Sequence, residues 1–491
     1  MTPFEIGTAV PLVIAAGGIL LYLVIARIPP GYRRWSGTLA ALWLGAVFLW
    51  LLYAVTDLPH PAGTSYLGLT CGLLITGLGG LAAFASQGNL DPEGPIRFYY
   101  PLMLFALAGA AAVGFATDLF TIFVMVELSA IPVYALVAYR YREDDRVAVA
   151  AMKYLVLGVA GTLTALLGIS LLYVAGHTLN ISLLPGALAG TGEPILLLAA
   201  LLILLGYGVK LAIVPLHSWL PDAYALSPPG VTAIMVGATK IGVLVAMFLA
   251  ISALPDTGHL IHTLGLVVTF LAILTMTAGN LLGLNQKDLR YILAYSSVAQ
   301  MGYTLLGFGI GMIYSLELGF TAGLYYAIAY SIMKGGAFIA ADIFAWDAGT
   351  PEVAGMRGLG AQHPFLGIAF TLFILGLTGV PFTCGFLGKL LLEQAGMVTS
   401  MLSGVVLALI LAVNSAVSLG YYVPILSTLM FRGHDPDPAT LTGQKKKSAI
   451  SRSALLAVVI LAVVTVYLGL FPESFDWITH AADQLTTWRM R

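Results

Sequence analysis

The stretch Gly206–Gly242, GYGVKLAIVPLHSWLPDAYALSPPGVTAIMVGATKIG, decides how the rest of the chain is read. It begins as an apolar run, places Lys210 inside that run, and breaks it at Pro215. His217, Pro221, Asp222, Pro228 and Pro229 prolong the break, and the second apolar run that follows carries Lys240. Proline inside a helix removes a backbone hydrogen bond and clashes with the preceding turn. At bilayer depth, freed backbone groups and ionisable side chains are tolerated only where they face protein or a water-filled cavity. Interrupted helices of this kind line transport sites in membrane proteins. The stretch therefore reads as part of an ion path.

The whole chain agrees with a membrane setting. It is 59% hydrophobic and 9% charged, with a mean hydropathy of +0.95, whereas ordinary soluble domains carry roughly 25% charged residues. Runs of about 20 apolar residues, the length that crosses a bilayer, recur from residue 6 to residue 471. They predict an all-α, polytopic membrane protein of about 14 transmembrane helices. On that count the basic residues outside the spans, from Arg27 through Arg140, Arg142 and Arg146 to Lys445, Lys446, Lys447 and Arg452, fall in odd-numbered loops or at their edges. Even-numbered loops hold none, and only Arg489 and Arg491 in the tail depart from the pattern. The positive-inside rule then makes the odd loops cytoplasmic and puts both termini on the outer side of an energy-coupling membrane.

Short loops leave no room for a soluble catalytic domain. The polar stretch 432–451 reads as a cytoplasmic linker, its lysines a topology signal or a lipid-headgroup contact. No charged segment with a small-residue cleavage site precedes the first apolar run, so no removable signal peptide is expected. Cys71 and Cys384 are the only cysteines and stand in apolar surroundings, which excludes a disulfide framework and a cysteine metal site. His177, His259, His262, His363 and His480 lie in loops or at span edges without ligand-like clustering, and no metal site is expected. The net charge of -1 gives no reason to expect a nucleic-acid partner.

Five lysines fall inside predicted spans: Lys153, Lys210, Lys240, Lys334 and Lys389. Lys153 is close enough to the start of its span to reach the headgroups, so a structural and a functional reading both stand. Lys210, Lys240 and Lys334 lie deeper and read as proton carriers. Desolvation eases proton release from a buried lysine, and a nearby carboxylate opposes it. Glu127 is the only acidic residue deep in its span, and an unpaired buried carboxylate is costly. A lysine partner is expected, whether for relay or for structure, and the sequence does not say which lysine. A second interruption occurs in GLTGVPFTCGFLGKLLLEQAG, residues 376–396, where Lys389 and Glu393 are four apart on one helix face, a spacing at which the two can pair. His217 is a second candidate carrier, or a histidine bonded to backbone freed at the break. Tyr295, Gln300 and Tyr330 are among the polar groups that could hold water between the lysines.

Taken together, VELSAIPVYAL, KYLVLG, GYGVKLAIVPLHSWLPDAY, SPPGVTAIM, KDLRYILAYSSVAQMGY and GFLGKLLL resemble the antiporter-like subunits of respiratory complex I. They are also similar to subunits of Mrp-type cation/proton antiporters and membrane-bound hydrogenases. The resemblance implies two inverted five-helix repeats, each with a broken helix. They occupy residues 97–255 and 256–431, between N-terminal helices in 1–96 and a last helix and tail in 452–491. It further implies a Glu127/Lys210 pair, Lys240 as the connecting lysine, Lys389 in the second broken helix, and Lys334 as a lysine of the eleventh span. Where many members carry histidine this chain has Gln300, and the sequence AIAYSIMK lacks a histidine just before Lys334.

The implied function is proton translocation by a subunit of a larger redox-driven membrane assembly, with a subunit of a sodium/proton antiporter as the alternative. The expected partners are other membrane subunits and, in the redox case, peripheral redox subunits. No flavin, iron–sulfur or nucleotide motif occurs, so this chain is expected to bind no cofactor. Redox cofactors then belong to partner subunits.

Overall fold

The computed structural model describes residues 3–56, 65–88, 90, 94–255, 259–399, 401–431, 451–472 and 476–485. The expected 432–451 linker, but for Ser451, lies outside them, as do Arg489 and Arg491.

Three helices open the chain: α1 (Pro3–Arg27), α2 (Ser36–Thr56) and α3 (Tyr66–Ser86). The first half of the body follows with α4 (Ile96–Val113), α5 (Leu119–Val137), α6 (Asp145–Gly176), the one-turn α7 (Leu184–Ala187) and α8 (Glu193–Leu211). It continues with α9 (Leu220–Leu226), α10 (Pro229–Ile234) and α11 (Lys240–Ser252). A π-helical turn, Met235–Thr239, joins the last two into a single rod ending at Ser252. The second half contains α12 (Leu260–Leu284), α13 (Leu289–Tyr314), α14 (Glu317–Ala348), α15 (Leu359–Gln362), α16 (Pro364–Thr378), α17 (Cys384–Thr399) and α18 (Met401–Met430). α19 (Arg452–Leu470) and α20 (Asp476–Asp483) close it. No strand occurs among the described residues.

Twelve helices of the described residues are long and apolar enough to cross a membrane, or 13 if the pair Val353–Gln362 and Pro364–Thr378, bent by 118°, is one span. The protein is thus an integral membrane protein, with fewer spans by this measure than the sequence reading expects. Two regions make the difference. α13 has 26 residues but carries serines, tyrosines and a glutamine along its length. α16 and α17, with 15 and 16 residues, are each too short alone.

The two halves share local architecture. Asp118 caps the start of α5, accepting from Thr121 N at 2.8 Å, and Asp288 caps α13, accepting from Arg290 N at 2.8 Å. Beside the first cap, Leu119 N donates to Leu179 O and Ile181 N to Thr117 O, both at 3.0 Å. Beside the second, Leu289 N donates to Pro351 O at 2.9 Å and Val353 N to Lys287 O at 3.1 Å. In each half a long helix, α6 or α14, delivers the returning segment of that contact.

α14 is the central column, buried over its whole spanning window, while α6 turns Val149, Leu163, Leu167 and Val174 outward. Large apolar side chains exposed in this way suit lipid contact. Close approach of α6 to α8 needs glycine. A Cβ on Gly161 would stand 2.7 Å from the carbonyl oxygen of Gly206, and Gly206 opens the stretch that carries Lys210.

Candidate functional site

α8 ends one residue beyond Lys210, and the next residue, Ala212, takes the left-handed conformation (φ 58°) where the chain turns. Carbonyls at the end of a helix lack intrahelical donors. The Trp219 indole supplies one, donating to Val209 O at 2.7 Å. The turn is pinned from outside, because Val214 N donates to Thr275 of α12 at 3.0 Å.

Lys210 is buried, and its Nζ lies 3.1 Å from Glu127 Oε1 of α5. The approach is ionic rather than a well-aligned hydrogen bond, since Glu127 Oε1 has no hydrogen-bond partner. Nζ donates instead to the Tyr134 hydroxyl at 3.1 Å, one side of an aromatic group in which Tyr134 meets Tyr154 and Tyr154 stacks on Trp219 at 4.2 Å. The structure thus identifies the lysine that Glu127 meets, a choice the residue pattern leaves open.

Lys240 begins α11 directly after the π-helical turn. It is 3% exposed, has no carboxylate within 4.0 Å among the described residues, and reaches the Tyr330 hydroxyl at 3.4 Å. The ring faces of Tyr224 and Tyr330 lie 5.5 and 5.7 Å from its ammonium, within cation–π range. Between Lys210 and Lys240 is a cavity of about 10 Å³, also lined by Ser129, Tyr154, Trp219 and Thr239. Val126, Ala130, Met235 and Val243 complete its walls, and its volume is at the lower limit for a single water.

Lys334 is fully buried at the middle of α14. Its ammonium donates to Ser296 Oγ at 2.7 Å and Leu293 O at 3.1 Å, and Ser296 is hydrogen-bonded to Tyr422. Lys389 donates to Thr378 O at 2.9 Å, Leu377 O at 3.2 Å and Ser415 Oγ at 2.9 Å, over the ring of Tyr303. Glu393 is not within 4.0 Å of it among the described ion pairs, so the expected contact four residues apart does not form. The carbonyls left free where α16 ends take the ammonium in its place. Gln300 shares Leu377 O with Lys389, donating at 3.4 Å, and accepts from Tyr326.

Lys153 pairs with Asp222 Oδ2 at 2.9 Å, and each is about one-third exposed. His217 lies in the turn between α8 and α9, partly exposed, and its Nδ1 meets no protein partner. Tyr295 is on α13, one turn along from Tyr291, whose hydroxyl donates to Asp222 Oδ1 at 3.3 Å. The sequence reading names Asp222 only as part of the break. It also misses Tyr134, Tyr224, Ser415 and Tyr422, ordinary span residues whose only signal is a hydroxyl placed by folding. Among the described residues no group of three or more His, Cys, Asp or Glu side chains could hold a metal ion.

The chain is 31% identical to F(420)H(2) dehydrogenase subunit N of Methanosarcina mazei over 94% of its length and 95% of that protein. It is 34% identical to NADH-quinone oxidoreductase subunit N of Chlorobium chlorochromatii over 76% of its length and 72% of that protein. A solved Mrp complex from Dietzia sp. contains a chain of the same fold, with a TM-score of 0.84 at 23% identity, covering 99% of this chain and 98% of that one. The profile described as "NADH:quinone oxidoreductase/Mrp antiporter, TM" matches residues 116–415, a segment holding all of the buried lysines and Glu127. On these grounds the chain belongs to the NADH:quinone oxidoreductase/Mrp antiporter transmembrane family.

Proposed function

We propose that this chain is a proton-translocating membrane subunit of a redox-driven, complex I-like assembly, working through Glu127, Lys210, Lys240, Lys334 and Lys389. The observation that carries the reading is the buried Glu127–Lys210 pair facing Lys240 across a cavity at the lower limit for one water. Lys210 neutralises Glu127, while among the described residues Lys240 has hydroxyl and ring partners and no carboxylate. A proton arriving on Lys240 repels the Lys210 ammonium and tightens its hold on Glu127. Loss of that proton lets Lys210 move, so the pair and the central lysine load alternately. Onward transfer runs by way of Tyr330 and Lys334 toward Lys389, whose hydroxyl partner is Ser415. Tyrosine and serine hydroxyls both donate and accept, which suits proton hopping. Gln300 positions the Leu377 carbonyl rather than carrying protons. Lys153, His217, Tyr295 and Glu393 are auxiliary groups of the same path.

Fourteen spans follow if α13 and the α16–α17 pair each cross the bilayer. The matched caps and loop contacts beside α5 and α13 support two repeats at 97–255 and 256–431. On that count the two caps lie at opposite faces, as inversion requires, and both termini are outside. The relatives named above belong to quinone oxidoreductase and dehydrogenase assemblies, which supports membrane and redox partner subunits as the source of energy. Likeness to an Mrp chain supports the antiporter alternative in fold alone.

Mild extraction of the protein with its partners, followed by mass spectrometry and metal analysis, tests the assignment. Iron–sulfur or nickel–iron subunits retained with it are the expected result. Retention of small hydrophobic subunits alone, with sodium-dependent proton movement, would replace it with the antiporter.

A further inference from the structure

Both broken spans leave their first arm through a left-handed residue, Ala212 (φ 58°) in the first and Gly379 (φ 92°) in the second. Ten residues beyond Ala212 stands Asp222, and ten residues beyond Gly379 stands Lys389. Each second arm therefore carries an ionisable group, Asp222 as the third residue of α9 and Lys389 as the sixth of α17.

The surroundings of Asp222 go further. Its Oδ2 meets Lys153 of α6 at 2.9 Å, and its Oδ1 accepts from the Tyr291 hydroxyl of α13 at 3.3 Å. α6 belongs to the first half and α13 to the second, so one carboxylate bridges the seam between them. The broken span is gripped by two ion pairs of opposite sense. Lys210 on the first arm holds a carboxylate of α5, and Asp222 on the second arm holds a lysine of α6. The pairs differ in access: Asp222 is 36% exposed, whereas Lys210 is 3% exposed. The charged and titratable groups around this Lys153–Asp222–Tyr291 cluster include Arg146 of α6, Tyr295 of α13, Asp288 at the cap of α13, and His217 in the break. This is the face of the Arg140–Arg146 loop, the cytoplasmic one by the positive-inside rule.

We propose that Asp222 is itself a proton-carrying group, the carboxylate that takes protons from water on that face and passes them inward past the break. Lys153 is its counter-charge. When the carboxylate gains a proton, the ammonium loses its partner and withdraws. When the ammonium returns, the proton leaves inward and the pair reforms. This inference rests on the relay reading above.

The test uses the intact complex in sealed vesicles, with proton movement measured for Asp222→Asn, Lys153→Met and Glu127→Gln, each with and without imidazole as a small proton carrier. Asp222→Asn is expected to assemble and to translocate on the order of 100-fold more slowly, with imidazole restoring much of the rate. Imidazole should not restore Lys153→Met, which keeps the carboxylate. A full rate in assembled Asp222→Asn overturns the proposal. So does an equal loss in Asp222→Asn and Lys153→Met that imidazole leaves unchanged, because the pair is then only a clamp. If Asp222→Asn does not assemble, Asp222→Glu decides: a shifted pH profile of translocation is expected, and an unshifted one overturns the proposal. Slow Glu127→Gln beside fast Asp222→Asn removes this proposal alone. Full rate in Glu127→Gln removes the relay reading with it.

Discussion

Lys210 and Glu127 have few other groups to turn to. Removing one partner of a buried ion pair leaves an uncompensated charge and costs about 3–5 kcal/mol. Glu127→Leu should therefore lower the melting temperature of the extracted protein more than Glu127→Leu combined with Lys210→Met, and thermal denaturation of both checks it. Deleting the amide of Asn280 is a milder case. It donates to Asn414 O at 3.0 Å and accepts from Tyr421 at 2.9 Å, joining α12 to α18. Asn280→Leu leaves the Tyr421 hydroxyl without that acceptor, an expected loss of about 1–3 kcal/mol in the same assay. At this scale the sequence is informative about which residues matter and weak about whom they meet. Glu127, Lys210 and Lys240 stand out because charge is rare at bilayer depth. The Lys389–Glu393 spacing misleads, because helix periodicity places the two side chains on one face and says nothing of carbonyls freed by a break elsewhere. Asp222 is easy to overlook as one more polar residue among prolines, since Lys153 and Tyr291 reach it from distant parts of the chain.

The broken spans place the lysines, so their backbones are open to direct tests. Gly379 has a positive φ, and a Cβ there would press on the Lys389 side chain at 2.9 Å from Cδ. Gly379→Ala should cost at least about 1–2 kcal/mol, the penalty of a left-handed conformation for an L-residue, and should slow proton movement through displacement of Lys389. Ala212→Gly relieves the same strain in the first half and should raise stability without loss of transport. Gly161→Leu should separate α6 from α8 and displace Lys210, with loss of transport and of assembly measurable in one preparation. Both interruptions are legible in the sequence from Pro215 and Pro381 with their neighbouring lysines. The π-helical turn before Lys240 is not, because no proline marks Met235–Thr239 in the sequence.

For the molecule as a whole, composition is enough to announce a helical membrane protein, and the length of the apolar runs locates most of its spans. Two regions escape that reading for different reasons: α13 trades apolar side chains for hydroxyls and a glutamine, whereas α16 and α17 are each too short alone. Orientation can be measured. Cys71 and Cys384 are buried, so a cysteine placed at Glu143 or at Ser182 should give a low-background label. The two are expected to react from opposite sides of the membrane, Glu143→Cys from the cytoplasmic one, and labelling of both from one side would contradict a crossing by α6 in that orientation.

The most direct measurement is proton translocation by the intact complex carrying Glu127→Ala or Lys210→Ala, with assembly and the driving reaction followed in the same vesicles. Translocation lower by about 100-fold or more in an assembled complex is the result expected if protons pass through this pair. Normal assembly with translocation at the full rate in both variants would contradict it.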